Sequence, residues 1–282
     1  MRFFSRKPVV PVLRFSGPIG MATPLRPGLA ITSVAGAIDK AFALSKLPTV
    51  AMLINSPGGS PVQSHLIFRR IRQLAREKDK RVYVFCEDVA ASGGYFLALA
   101  GDEIYADPSS IVGSIGVISA GFGPDKFIER YGIERRVYTA GRNKSLLDPF
   151  QPERPDDVAR LRDLQREIHE VFTGIVKERR AGKLKTGEDT ELFSGAFWSA
   201  QKAMDFGLID GLSDVRSKMQ ALHGEDVRLR TVPLSQGGLL SRFRRLQMFP
   251  TGASEGFALP PSFADDLVSA VEMRALWSRF GL

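Results

Sequence analysis

The run ASGGYFLALA, starting at Ala91, puts a serine and two glycines at the head of an otherwise apolar helical stretch. Gly93 and Gly94 each cost about 1 kcal/mol relative to alanine inside a helix. Ser92 can serve as a cap, but a cap needs no glycine pair behind it. A backbone that another group must approach closely does need one. A second such turn, SPGGS, brings Gly58 and Gly59 directly after the apolar run TVAMLIN. If both preceding runs are strands of a parallel sheet, the two turns share its carboxyl edge, where ligands bind in open α/β sheets. The amides of Gly59 and Gly93 can then converge on one point beside Ser92. Paired amides next to a serine hydroxyl are the parts of an oxyanion hole with its nucleophile.

A serine nucleophile requires a base. The three histidines, His65, His169 and His223, each read as packed or surface residues. The lysine in an unusual context is Lys144, in TAGRNKSLLDPF, on a loop between a strand and a long helix and flanked by Gly141 and the Asp148-Pro149 turn. A lysine acts as a base only as the neutral amine, which burial or a neighbouring cation favours. Lys126 and Lys177 sit in charged helical contexts instead. With a single cysteine, scattered histidines and no phosphate-binding loop, neither a metal nor any other cofactor is expected.

The elements that must carry these residues alternate. Pro11 to Phe15, Thr49 to Asn55 and Arg81 to Cys86 read as strands, the second as a continuous apolar run buried on both faces. A helix capped by Ser33 shows Val34, Ile38 and Phe42 on one face, and a helix after SPGGSP repeats Ile67, Ile71 and Leu74. DEIYA, Ser114 to Ser119 and Glu134 to Ala140 are further strand candidates, with a short helix over Asp125 to Tyr131. From Asp156 to about Arg180, Val158, Leu161, Leu164, Ile168, Val171 and Ile175 mark a long amphipathic helix. Such alternation predicts an α/β fold with a largely parallel sheet. Three regions are expected: a basic N-terminal extension over 1–10, the main domain over 11–234, and an appendage over 235–282 ending in an amphipathic helix, Phe263 to Phe280.

The 282 residues carry a net charge of +8. No aromatic-basic nucleic-acid motif accompanies that charge, so nucleic acid is not an expected partner. The apolar face of SRFRRLQMF is expected first to pack on the body or on a neighbouring subunit; the alternative is docking on an anionic membrane surface through Arg242, Arg244 and Arg245, with Arg2, Arg6 and Lys7 beside Phe3 and Phe4 as a second contact. The apolar stretch near the N-terminus is broken by Pro8, Pro11 and Arg14, which predicts no secretory signal, and no run reaches the length of a membrane span. The expected location is the cytoplasm, free or peripheral to the membrane.

INSPGGS, EDVAASGGYFLALAGDEIYADPSSIVGSIGVI and GRNKSLLDPF resemble the signal peptide peptidase A (protease IV) family of serine peptidases. The similarity runs from about Val12 to Val215 and includes FSGAFWSAQKAMDFGLIDGLSD. The resemblance implies the Clp protease/crotonase fold of stacked β-β-α units and peptide substrates. It aligns Ser92 with the family's nucleophile, Lys144 with its general base, and Gly59 and Gly93 with its oxyanion hole. It also implies a ring-like homo-oligomer in which serine and lysine can come from one subunit or from neighbouring ones. This sequence reads G-R-N-K where the family often has an aromatic before the lysine, and it shows no N-terminal membrane anchor of the kind many members carry. Two other functions use similar parts. A crotonase-type acyl-CoA enzyme holds a thioester oxyanion with paired amides and would keep its turnover in Ser92→Ala; a non-catalytic oligomeric scaffold would react with no serine-directed probe.

Overall fold

The computed structural model describes residues 7–20, 28–185, 191–234, 274–275 and 277–281. Along the chain run β1 (Val9–Ser16), α1 (Ile31–Leu44), β2 (Thr49–Ser56), α2 (Pro61–Glu77), β3 (Arg81–Ala91), α3 (Gly93–Ala98), β4 (Glu103–Ala106) and β5 (Ile111–Gly113). There follow α4 (Asp125–Arg130), α5 (Pro155–Arg179), β6 (Phe197–Ser199), α6 (Ala200–Asp205), β7 (Gly211–Leu212), α7 (Val215–His223) and β8 (Arg228–Val232).

The strands form one sheet in the order β6-β5-β3-β2-β1-β8, with β4 branching from β3 and pairing onward to β7. Every pairing is parallel except β5 with β6. The branch arises because β3 is long. Its first half, Tyr83 to Cys86, pairs with β4, and its last residues, Val89 to Ala91, pair with β5. The expected α/β class and parallel sheet are therefore present.

Strand periodicity decides the two faces. Val50, Met52, Ile54, Val82, Val84 and Cys86 point into the main core beneath α1 and α2. Their neighbours Ala51, Tyr83 and Phe85 point the other way and pack with Val10, Val12 and Met219. Helix α1 buries Val34, Ala37, Ile38, Ala41 and Phe42 as its spacing predicts. Ala30, not Ser33, is its N-cap. Ser33 stands in the first turn, and its hydroxyl accepts from the Ala30 amide at 3.2 Å. Ser60 does cap α2, accepting from the Gln63 amide.

Two strand assignments differ from expectation. Ser114 to Ser119 is irregular, the strand lying just before it at Ile111–Gly113, and Glu134 to Ala140 makes no ladder. The first run carries Ile115, Val117 and Ile118 and the second Val137, Tyr138 and Thr139, but β-propensity reflects fit to a half-buried pleated surface, and neither run meets one. Residues 119–154 instead form an arm that is largely exposed, including Phe122 at 94% and Tyr138 at 90%. Helix α5 covers the expected range, yet Leu164 and Val171 of its apolar stripe remain half exposed. Of the C-terminal appendage, only the last residues fall within the described set. There Phe280 is buried against Val89 and Ala91, with Trp277 packed beside it. SRFRRLQMF and Arg2 to Arg6 lie outside the described residues. Lys7 is described and forms an exposed ion pair with Asp226.

Candidate active site

The serine is placed by the end of β3. Between Ile54 and Ser56 the register to β3 shifts, so that Ile54 faces Cys86 while Ser56 faces Ala90. Asn55 spans the irregularity, its side-chain oxygen accepting from the Val89 amide at 3.3 Å. The strand then ends at Ala91, and Ser92 takes φ 53 and ψ −122. A side chain there is strained by on the order of 1–3 kcal/mol, a conformation that persists only where neighbours over-determine it. They do so here. The Ser92 amide donates to the Gly113 carbonyl at 2.8 Å, and the Ser92 carbonyl accepts from the Phe96 amide at 2.9 Å. The turn aims the hydroxyl away from capping: Ser92 makes no side-chain bond to the helix it precedes.

The glycine pairs answer to close approach. A Cβ on Gly94 would lie 2.4 Å from the Ser56 carbonyl oxygen, and one on Gly59 would lie 2.1 Å from that of Ile19. Gly58 and Gly59 have φ of 106 and 140, so the turn itself also selects glycine. The two turns touch: a Cβ on Gly58 would stand 2.8 Å from Ser92 Cβ and 2.9 Å from the Gly93 nitrogen, and one on Gly93 would stand 3.3 Å from the Gly59 nitrogen. The Ser60 amide donates to Ile19 and the Gly58 amide to Ser56 Oγ. The amides of Gly59 and Gly93 have no acceptor among the described residues. Two unpaired amides beside a strained serine can take a developing negative charge.

Two cavities meet at Ser92. One, of about 310 Å³, is walled by Val62 and Leu66 of α2, Phe96 of α3, and Ile168, Val171 and Phe172 of α5. The other, of about 440 Å³, is more polar and takes in Ser114, Gln165, Arg166, His169, Ser194 and Arg279 beside Ile118 and Phe193. Ser92, Gly116 and Val117 belong to both.

Lys144 does not join them. It is exposed on the arm, lines neither cavity, and its ammonium has no hydrogen-bond or ion-pair partner among the described residues. The loop that carries it is tied down: Arg135 pairs with Asp148 at 2.9 Å and lies over the Phe150 ring, and Asp157 accepts from the Leu147 amide. Two histidines set aside in the sequence do reach the serine's surroundings. His65 lines the apolar cavity against Phe68 and Phe96; burial, helped by the Arg69 guanidinium, holds its imidazole below the usual histidine value. His169 lines the polar cavity, one ring nitrogen 3.1 Å from the Ile115 carbonyl. The signal was positional: His65 lies one turn into the helix that follows Gly59, and His169 is flanked by Ile168, Val171 and Phe172. Cys86 offers no rival nucleophile, since full burial pushes its thiol up to about 12. Among the described residues no cluster of His, Cys, Asp or Glu could hold a metal ion.

The family model of peptidase family S49 matches residues 74–227, more than half of the chain. The chain belongs to peptidase family S49. The matched segment includes Ser92 and Lys144 and leaves Gly59 outside. The chain is 30% identical over 168 residues to a protein of Arabidopsis thaliana, "Serine protease SPPA, chloroplastic", covering 59% of this chain and 24% of that one. It is 52% identical over all 282 residues to a Brucella abortus protein named "Na(+)/H(+) antiporter NhaA", of which it spans 38%. Among the described residues no helix is long and apolar enough to cross a membrane. The antiporter name is that of the longer Brucella protein as a whole, and this chain matches little more than a third of it. The branched parallel sheet agrees with the Clp protease/crotonase fold that the family resemblance implies.

Proposed function

We propose that the chain is a serine peptidase in which Ser92 is the nucleophile, the amides of Gly59 and Gly93 form the oxyanion hole, and Lys144 of a second copy is the base. The observation that carries the reading is the strained Ser92, whose hydroxyl caps no helix, beside two amides with no acceptor among the described residues. Ser92 Oγ attacks the peptide carbonyl carbon while the neutral lysine amine takes the hydroxyl proton. The carbonyl oxygen becomes the oxyanion and accepts from the two amides. Collapse expels the amine, which leaves with the proton held by lysine, and water then hydrolyses the acyl-enzyme by the same proton route. The substrates are peptides with apolar side chains, signal-peptide-like segments among them, because one wall of the site is a largely apolar cavity.

Supply of the lysine in trans is supported by its exposure on an arm whose Phe122, Tyr131, Ile133 and Tyr138 lie open to solvent. Exposed apolar patches of that kind mark association surfaces, and a second copy would cover them. A second reading has one observation in its favour: His169 lines the cavity of Ser92 within the same chain and would serve as a base in cis.

Mixing separates the two. Ser92→Ala and Lys144→Ala should each lower peptide hydrolysis by at least about a thousandfold. Co-expressed, they should restore activity. In a ring with random neighbours, about a quarter of the sites would hold both an intact serine and an intact adjacent lysine. Restoration below a few per cent rejects the lysine in trans. Loss of activity in His169→Ala with retention in Lys144→Ala would establish the histidine reading.

A further inference from the structure

We propose that Arg279, assisted by Arg166, forms a subsite for an acidic residue of the bound peptide, so that the site reads an apolar side chain on one flank of Ser92 and a carboxylate on the other. The proposal deepens the peptidase reading and rests on it for the identity of the ligand. The two cavities that share Ser92, Gly116 and Val117 differ in kind. The first is walled chiefly by aliphatic and aromatic side chains. The second offers the guanidinium groups of Arg166 and Arg279, the imidazole of His169, the amide of Gln165, and the hydroxyls of Ser114 and Ser194 beside Ile118 and Phe193, with no acidic residue on its walls among the described residues.

Arg279 is the informative group. It is exposed and has neither an ion pair nor a hydrogen bond among the described residues. Its position is nonetheless fixed, because Phe280 next to it is buried on Val89 and Ala91 and lies 5.1 Å from the Phe197 ring. Val89 and Ala91 belong to the strand that leads into Ser92, so the arginine is anchored to the backbone that carries the serine. Among the described residues Arg166 pairs only with Asp163, one turn earlier on the surface of α5. Exposed pairs of this kind are weak, so Arg166 can turn toward a ligand. An unpaired guanidinium on a wall without counter-charge favours a carboxylate, which it can meet with two parallel hydrogen bonds. A peptide crossing the junction at Ser92 would thus lay its apolar side chain between α2 and α5 and its acidic one beside Arg279.

The test uses the full chain as Ser92→Ala, so that binding is read without turnover. The probes are fluorescein-labelled peptides with a leucine-rich half and a Gly/Ser half bearing one glutamate, made in both chain directions, each against its glutamine isostere. The glutamate peptide of one direction should bind on the order of tenfold more tightly than its isostere, as a charge-assisted contact predicts, and the difference should shrink as salt is raised. Arg279→Gln should remove most of that preference, and Arg166→Gln part of it. Equal binding of the isosteres, no binding of either, or a preference that survives both substitutions overturns the subsite. Hydrolysis by the unmodified chain is measured in parallel. Selective binding without cleavage would count against the peptidase reading and leave the subsite standing, whereas cleavage without selectivity would do the reverse.

Discussion

Ser92 is held in a backbone conformation that its own side chain disfavours, which yields a prediction about stability as well as activity. Alanine at this position keeps the Cβ and the strain; glycine removes both. Relief of about 1–3 kcal/mol is opposed by the about 0.4–1 kcal/mol of extra unfolded-state entropy that glycine brings. Ser92→Gly should therefore be more stable to denaturant than Ser92→Ala by roughly 1–2 kcal/mol, with both inactive. The reverse order would show that the conformation is not strained. The glycine pairs were legible in the sequence because they were costly where they stood, and the Cβ distances at Gly59 and Gly94 give the reason. The strain at Ser92 was not legible. No residue type encodes a left-handed serine, and its cause lies in contacts with Gly113 and Phe96. Nor was the reach of His65 and His169 to the serine, which depends on how α2 and α5 converge.

Elements with a strong period fold as their patterns predict, and elements without a local partner do not. Helices α1 and α2 bury the predicted stripes, and β2 is buried on both faces. The arm over 119–154 contains the apolar content of a strand and a helix, yet α4 buries none of its residues and Glu134 to Ala140 pairs with nothing. A sequence pattern records that a face wants burial and does not say whether the cover comes from the same chain. If the cover is another copy, Phe122→Ser and Tyr138→Ser should reduce the assembly mass measured by light scattering. They should leave the unfolding free energy of the dissociated chain within about 0.5 kcal/mol, since both side chains are exposed there. An unchanged mass would mean that the arm is not an assembly surface.

The apolar cavity lies between α2 and α5, and two aspartates with long-range partners fix the surroundings of those helices. Asp102 accepts from Arg72 of α2 at 2.8 Å, from Arg179 of α5 at 3.4 Å and from the Val82 amide at 2.8 Å. Asp210 accepts from Arg180 at 2.8 Å, from Lys183 at 2.8 Å and from the Ile104 amide at 2.7 Å, while Arg180 also donates to the Gly207 carbonyl. These partners stand tens of residues apart in sequence, so no local pattern announced them. Arg180 is 2% exposed, a guanidinium that its partners alone make tolerable in the core. Burial raises the Asp210 carboxyl, but the hydrogen bonds from Arg180 and Lys183 outweigh it and hold the group below the ordinary carboxylate value. A carboxyl depressed in the folded chain contributes stability above its unfolded value and loses that contribution as pH falls through the folded one. Asp210→Asn leaves Arg180 charged and unpaired, so at neutral pH it should cost about 3–5 kcal/mol, as breaking a buried pair does. The gap to the parent chain should narrow in acid, where the parent protonates Asp210 as well. Denaturant titrations across the acid range read this directly. A gap that stays constant with pH would show that the carboxylate charge is not what holds Arg180, whereas near-parental stability of Arg180→Met/Asp210→Leu would show that the hub needs volume rather than charge.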